Sequence, residues 1–225
     1  MRRAPAVLAF AFAALVAACQ SPPAPGWPEI TFAHRTPIRL DVARVEVVQT
    51  YRPPQAAPNV EHLFPITPAA VLRRWAKERL KAAGTSRTAR VTIVNAAVIE
   101  TKLPTHKGLQ GLFYSDQAQR YDATLEVRID ILDDGGRALG HVRTVAERSR
   151  TVTEGISLNE RSRVWFELTE AVVRDFDTEM ERTIRRYLAD FVLPGPTSKW
   201  RTDPRVRAAR ASATGVRWQW AGSAS

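Results

Sequence analysis

The 225 residues carry 33 Lys and Arg against 23 Asp and Glu, a net charge of +10, with 44% hydrophobic residues and one cysteine. The apolar share suffices for a folded core and excludes a chain that is disordered throughout. A single thiol excludes a disulfide framework and a cysteine-rich metal site. Arg outnumbers Lys 28 to 5, a balance read first as a solvated basic surface and second as affinity for anionic headgroups or phosphates.

Arg2 and Arg3 open the chain, an apolar stretch runs from Ala6 to Val16, and Ala17 and Ala18 stand directly ahead of Cys19. This is the order of a positive n-region, an apolar h-region and a small-residue cleavage site. Roughly eleven apolar residues fall short of the about twenty that a membrane-spanning helix needs. The segment Leu15-Val16-Ala17-Ala18-Cys19 resembles the lipobox of bacterial lipoproteins. The resemblance implies that residues 1–18 are a signal peptide and that Cys19 becomes the lipidated N-terminus. Gln20, where the family's inner-membrane retention signal has Asp, implies the periplasmic face of the outer membrane. Lipidation would consume the only thiol, and export argues against nucleic acid as a partner despite the charge.

Residues 19–37, with Pro22, Pro23, Pro25 and Pro28, read as an extended tether, and residues 38–194 as one folded domain. Ile38, Leu40 and Val42 alternate with polar residues, and Val45 and Val47 resume one residue out of phase, which predicts a strand with a bulge near Ala43 or Arg44. Thr67 and Pro68 can start a helix whose apolar face is Val71, Leu72, Trp75, Leu80 and Ala83, with Gly84 as a left-handed stop. β-Branched residues from Ala89 to Leu103 predict a second strand. Tyr121 to Ile131 alternates without fault and predicts a third.

Asp133, Asp134, Gly135 and Gly136 then suit a tight reversal. Ala138 to Thr153 supplies the hairpin partner, with Val142, Thr144 and Ala146 inward and His141, Arg143 and Glu147 outward. Ser157 or Asn159 can cap a long helix marked by Val164, Leu168, Val172, Phe176, Met180, Ile184 and Leu188, which Pro194 ends. The order β-α-β-β-β-α predicts a two-layer α+β sandwich, about four mostly antiparallel strands covered on one face by two helices. Residues 195–225 form a basic tail in which Trp200, Trp218 and Trp220 stand among arginines, a composition that predicts disorder in isolation.

No phosphate loop, dinucleotide fingerprint, nucleophile elbow or zinc-protease motif occurs, so neither an enzyme nor a cofactor or metal is expected. His34, His62, His106 and His141 have no second ligand at metal spacing, and the pairs Asp133/Asp134 and Glu179/Glu181 read as structural. Arg143, Arg148 and Arg150 could form an anion row, although alternation turns Arg143 away from the other two. The segment from Pro104 to Gln119 carries Leu109, Leu112, Phe113 and Tyr114, and reads either as a cover over the sheet edge or as a contact for a partner or lipid. Trp200, Trp218 and Trp220 are candidates for the same contact role.

The layout of lipobox, proline-rich tether and compact domain is similar to that of small auxiliary lipoproteins of envelope transport, both those of lipid-exporting ABC systems and the lipopolysaccharide-assembly lipoprotein. That likeness implies a binding or scaffold component, with an envelope complex or anionic lipid as partner. A cell-wall or lipopolysaccharide-binding lipoprotein is the alternative, and a periplasmic hydrolase a more distant one.

Overall fold

A computed structural model describes residues 26–104, 117–153 and 155–195. Its elements, in chain order, are β1 (Ile38–Leu40), β2 (Arg44–Gln49), α1 (Pro68–Arg79), β3 (Leu80–Ala82), β4 (Thr88–Lys102), β5 (Gln117–Leu132), β6 (Ala138–Thr153) and α2 (Leu158–Tyr187). The main sheet has the order β2-β4-β5-β6, with β2 parallel to β4 and the remaining pairs antiparallel. This is the expected two-layer α+β sandwich, with both helices on one face.

The alternation in the sequence explains why the layers close where they do. Tyr121, Ala123, Leu125, Val127, Ile129 and Ile131 of β5 are buried, as are Val91, Ile93, Ala96 and Val98 of β4. The phase changes between Ile93 and Asn95, where β4 bulges against β5, so one extra residue keeps both halves of the strand facing the helices. From α2, Leu168, Val172, Phe176, Met180 and Ile184 pack onto this surface at helical spacing. The hairpin turn is as read: Gly136 has φ +82°, and the Asp133 carboxylate accepts the amides of Gly135 and Arg137 at 3.0 and 2.8 Å.

Four boundaries differ from the sequence reading. The first strand is two strands rather than one bulged strand. β1 pairs in parallel with β3 in a separate two-stranded sheet, while β2 pairs with β4. Residues 41–43 cross from one to the other, with the Ala43 amide donating to the Ser86 carbonyl at 2.8 Å.

Helix α1 stops at Arg79, not at Gly84. Leu80 turns extended (φ −103°, ψ 126°) because Leu80–Ala82 is claimed by β1. Gly84 is therefore no left-handed cap. It is required by close approach, since a Cβ there would lie 2.7 Å from the Asp41 carbonyl carbon and 2.8 Å from the Val42 nitrogen.

Helix α2 ends at Tyr187, before Pro194, where a short 3-10 turn, Ala189–Phe191, redirects the chain. The Asp41 amide then donates to the Phe191 carbonyl and the Leu193 amide to the Arg39 carbonyl, both at 2.8 Å. The last described residues thus run beside β1.

Residues 26–37, expected as tether, lie against the helices. Ile30 and Phe32 are buried in the core cluster, and the Trp27 ring stacks on Phe166 with centroids 5.4 Å apart. The proline-rich composition hid three apolar side chains spaced two to three residues apart.

Replacing Gly84 with Ala forces backbone at Asp41 to Val42 to move, and should cost about 1–3 kcal/mol in a denaturant titration. An unchanged midpoint would show that the 41–43 crossing yields freely.

Candidate functional site

The residues singled out in the sequence as contact candidates, Leu109, Leu112, Phe113, Tyr114, Trp200, Trp218 and Trp220, lie outside the described residues, as do Cys19 and His106. Within the described residues, the charged groups converge in the cleft between α1 and α2, beneath residues 27–36. We call this segment the strap.

Two helix starts position the cleft. The Thr67 hydroxyl accepts the Ala70 amide at 3.4 Å with Pro68 in the first turn, and the Ser157 hydroxyl accepts the Glu160 amide at 3.2 Å. Both caps match the sequence reading. The helices then cross so that Trp75 meets Phe176 edge-on, centroids 4.9 Å apart.

Beside this contact Arg79 is fully buried. Its Nε donates to Asp177 Oδ1 at 2.7 Å, and Trp75 Nε1 donates to the same oxygen at 2.8 Å. Its two terminal nitrogens donate to the Thr36 carbonyl and to Glu181. Arg35, from the strap, approaches Asp177 Oδ2 at 3.1 Å and Glu181 at 3.6 Å. Arg185 closes the outer side on Glu181 at 2.8 Å.

Three arginines therefore surround two carboxylates, and each of the three guanidinium nitrogens of Arg79 has an acceptor. That is the condition under which a buried guanidinium is tolerated. The arrangement clamps the strap to both helices, and with its oxygens already engaged it is poorly suited to abstracting a proton.

The strap adds further contacts. Glu78 accepts the Phe32 amide at 2.5 Å and the Thr31 hydroxyl at 3.0 Å, and Arg74 meets Glu29 at 2.8 Å. A cavity of about 460 Å³ remains beneath the strap, lined by Ile30, Phe32, His34 and Arg35 on one side and by Phe166 and Arg174 on the other.

A second polar cluster sits at the far end of α1. The buried Glu61 accepts from the Tyr51 hydroxyl at 2.5 Å and from the Val98 amide at 3.2 Å. Burial first, and the Glu61 carboxylate second, push the Tyr51 hydroxyl above its ordinary value. A cavity of about 280 Å³ adjoins it, with Gln49, His62 and Arg73 at its rim.

The other sequence candidates separate. Arg143 meets Glu126 on the open face at 2.7 Å, whereas Arg148 and Arg150 turn to α2 and meet Asp175 and Glu167 at 2.6 and 3.8 Å. No anion row forms among them. Asp133 shapes the hairpin turn and Glu179 pairs with Arg182. His34 lines the strap cavity, His62 the second cavity, and His141 lies on the open face. Among the described residues no group of three or more His, Cys, Asp or Glu could hold a metal ion, and no helix is long and apolar enough to cross a membrane.

The sequence reading took Glu181, with Glu179, as structural and passed over Arg79 and Asp177. The signal was present: Asp177 adjoins Phe176 in the apolar stripe, and Glu181 follows one turn later, next to Met180.

No protein-family model matches the chain, and no curated protein matches it. Solved structures similar to it include the rare lipoprotein B from Shewanella oneidensis, at 9% identity and TM-score 0.34, covering 62% of this chain and 92% of that one. A minor lipoprotein from Acinetobacter baumannii is similar at 12% identity and TM-score 0.35, covering 71% of this chain and 99% of that one. A PelC dodecamer from Paraburkholderia phytofirmans follows at 16% identity and TM-score 0.21, covering 61% and 88%. At such scores and identities these likenesses assign neither a family nor a function.

Two predictions follow from the clamp. Asp177→Ala leaves Arg79 buried beside a lost carboxylate and should cost about 3–5 kcal/mol in chemical denaturation; a loss under 1 kcal/mol would mean that water enters freely. The second concerns acid. Burial pushes the Glu181 carboxyl up, but hydrogen bonds from Arg185 and Arg79 and their charges outweigh it and hold it below its ordinary value. A carboxylate depressed on folding contributes stability that is complete above its unfolded value and lost as pH falls through the folded one. Wild-type protein should therefore lose more stability than Glu181→Gln between neutral pH and the acid side of the carboxylate range. Parallel curves of denaturation midpoint against pH would refute this.

Proposed function

We propose that this chain is a non-enzymatic lipoprotein of the bacterial envelope, held at the periplasmic face of the outer membrane by lipid on Cys19, where its domain serves as a binding or scaffold component of a transport or assembly system. The observation that carries the reading is the short distance between the lipobox and the docked strap. From Cys19 to Gly26, the first described residue, there are seven residue steps, a reach of at most about 25 Å.

The strap begins at once beyond that point, with Trp27 already stacked on Phe166. Lipid on Cys19 would keep the α1/α2 cleft close to the bilayer surface, where both an envelope partner and anionic headgroups are within reach. The basic charge and the arginine excess support headgroup contact. Leu109, Leu112, Phe113, Tyr114, Trp200, Trp218 and Trp220 are the side chains we assign to partner or membrane contact. A chemistry of adhesion rather than turnover suits a cleft whose charged groups are already spent on one another.

Cys19→Ser should abolish labelling of the chain by radioactive palmitate and shift it out of the membrane fraction of its host. Labelling or membrane retention that survives the substitution would overturn the anchor. Capture of the tagged wild-type chain from detergent-solubilised membranes should recover transport or assembly components. Recovery of none, together with no binding of the purified protein to anionic vesicles, would overturn the binding role.

A further inference from the structure

The outer side of β6 has no strand against it among the described residues, because β6 is the last strand of the sheet. It is 16 residues long, and it pairs with β5 without a register shift from Gln119↔Val152 to Ile131↔Gly140. A long straight edge exposes a row of amides and carbonyls that templates further pairing, and proteins usually blunt it with Pro, Lys, a bulge or brevity. The opposite edge, β2, follows that rule: it has six residues and Pro53 and Pro54 stand shortly after it. β6 contains neither Pro nor Lys, and its one extra residue against β5, between Gly140 and Ala138, lies at the very start of the strand. Its open-face residues are Leu139, His141, Arg143, Val145, Glu147, Ser149 and Thr151, of which Val145 is 45% and Leu139 39% exposed.

The order of these residues is complementary to itself. When two copies of β6 run antiparallel about a two-fold axis at Val145, Gly140 faces Arg150, so the regular part of the strand is paired from end to end. In that register Arg143 of each copy faces Glu147 of the other, and the two Val145 side chains meet between the pairs. On the helix side Arg148 faces Val142 and Arg150 faces Gly140, so no arginine meets an arginine. Moving the axis by one residue either way loses both Arg–Glu pairs. Moving it by two sets Arg143 against Arg143 or Glu147 against Glu147, and like charges directly opposite are unfavourable.

We infer that the outer edge of β6 is the seam of a homodimer, joined antiparallel about Val145 with Arg143 and Glu147 paired across it, so that two four-stranded sheets become one of eight. The backbone ladder supplies the affinity and the two charge pairs fix the register. Arg143 uses its Nε on Glu126, and a guanidinium has five donors, so it can bridge Glu126 and Glu147 of the second copy together. The interface is isologous and closes on itself, as a two-fold seam must.

The test uses the full chain extracted from membranes in detergent. Wild-type protein should have the protein mass of a dimer by light scattering. Arg143→Glu and Glu147→Arg, each alone, face like charges twice and should weaken association at least tenfold. Mixed together in differently tagged chains, the two variants recreate both Arg–Glu pairs, and each should capture the other. Val145→Cys, an exposed position, should form a disulfide-linked dimer on mild oxidation, whereas Leu139→Cys, which faces Thr151, should not. A monomeric wild type, charge reversals without effect, mixing that fails to restore association, or no disulfide at residue 145 would each overturn the seam.

Discussion

Arg79 sets a constraint on everything around it. A guanidinium with no solvent exposure is tolerated only when carboxylates and carbonyls are brought to it in the right directions. Here they come from two separate pieces of chain, Asp177 and Glu181 from α2 and Thr36 from the strap, while Trp75, on the same helix as Arg79, donates to the Asp177 oxygen. Helix α1 cannot slide along α2 without stranding that charge, and the strap cannot lift without removing one of its acceptors. Apolar packing of Trp75 on Phe176 holds the layers together. The buried ion cluster specifies one register for them.

The open face of the sheet is organised by a different balance. Its arginines are exposed and neutralised locally by less exposed carboxylates, Arg128 by Asp130, Arg120 by Asp122 and Arg143 by Glu126. Such pairs add little stability individually. They do keep a broad surface wet and free of large apolar patches, which lets the sheet carry helices on one side only.

Periodicity made the long elements legible before any coordinates. The alternation from Tyr121 to Ile131, the Asp-Asp-Gly-Gly turn and the apolar stripe from Leu168 to Ile184, one residue in every four, depend on local rules of side-chain direction, and all three appear as read. The errors fall where a neighbour distant in sequence overrides such rules. β1 separates from β2 because Leu80–Ala82 and residues 191–193 compete for it, and Gly84 is small because Asp41 crosses it. Composition misled at the strap, where prolines drew attention from Trp27, Ile30 and Phe32. The buried cluster was legible on one side only: Asp177 and Glu181 stand beside the apolar stripe of α2, but nothing in the sequence joins them to Arg79, 98 residues from Asp177.

The strap also sets the route by which force enters the molecule. Were the chain held at Cys19, as we propose, tension would arrive at Gly26 and meet the Trp27 stack, then the Glu29–Arg74 and Glu78 contacts, then Arg35 on the buried Asp177. These fasteners lie in series ahead of β1, so thermal drag on the domain is spent on renewable side-chain contacts before it loads the sheet. Behind them, Arg39 is bonded to Leu193, which ties the entering chain to the departing one and makes the hydrophobic core a closed loop in the mechanical circuit.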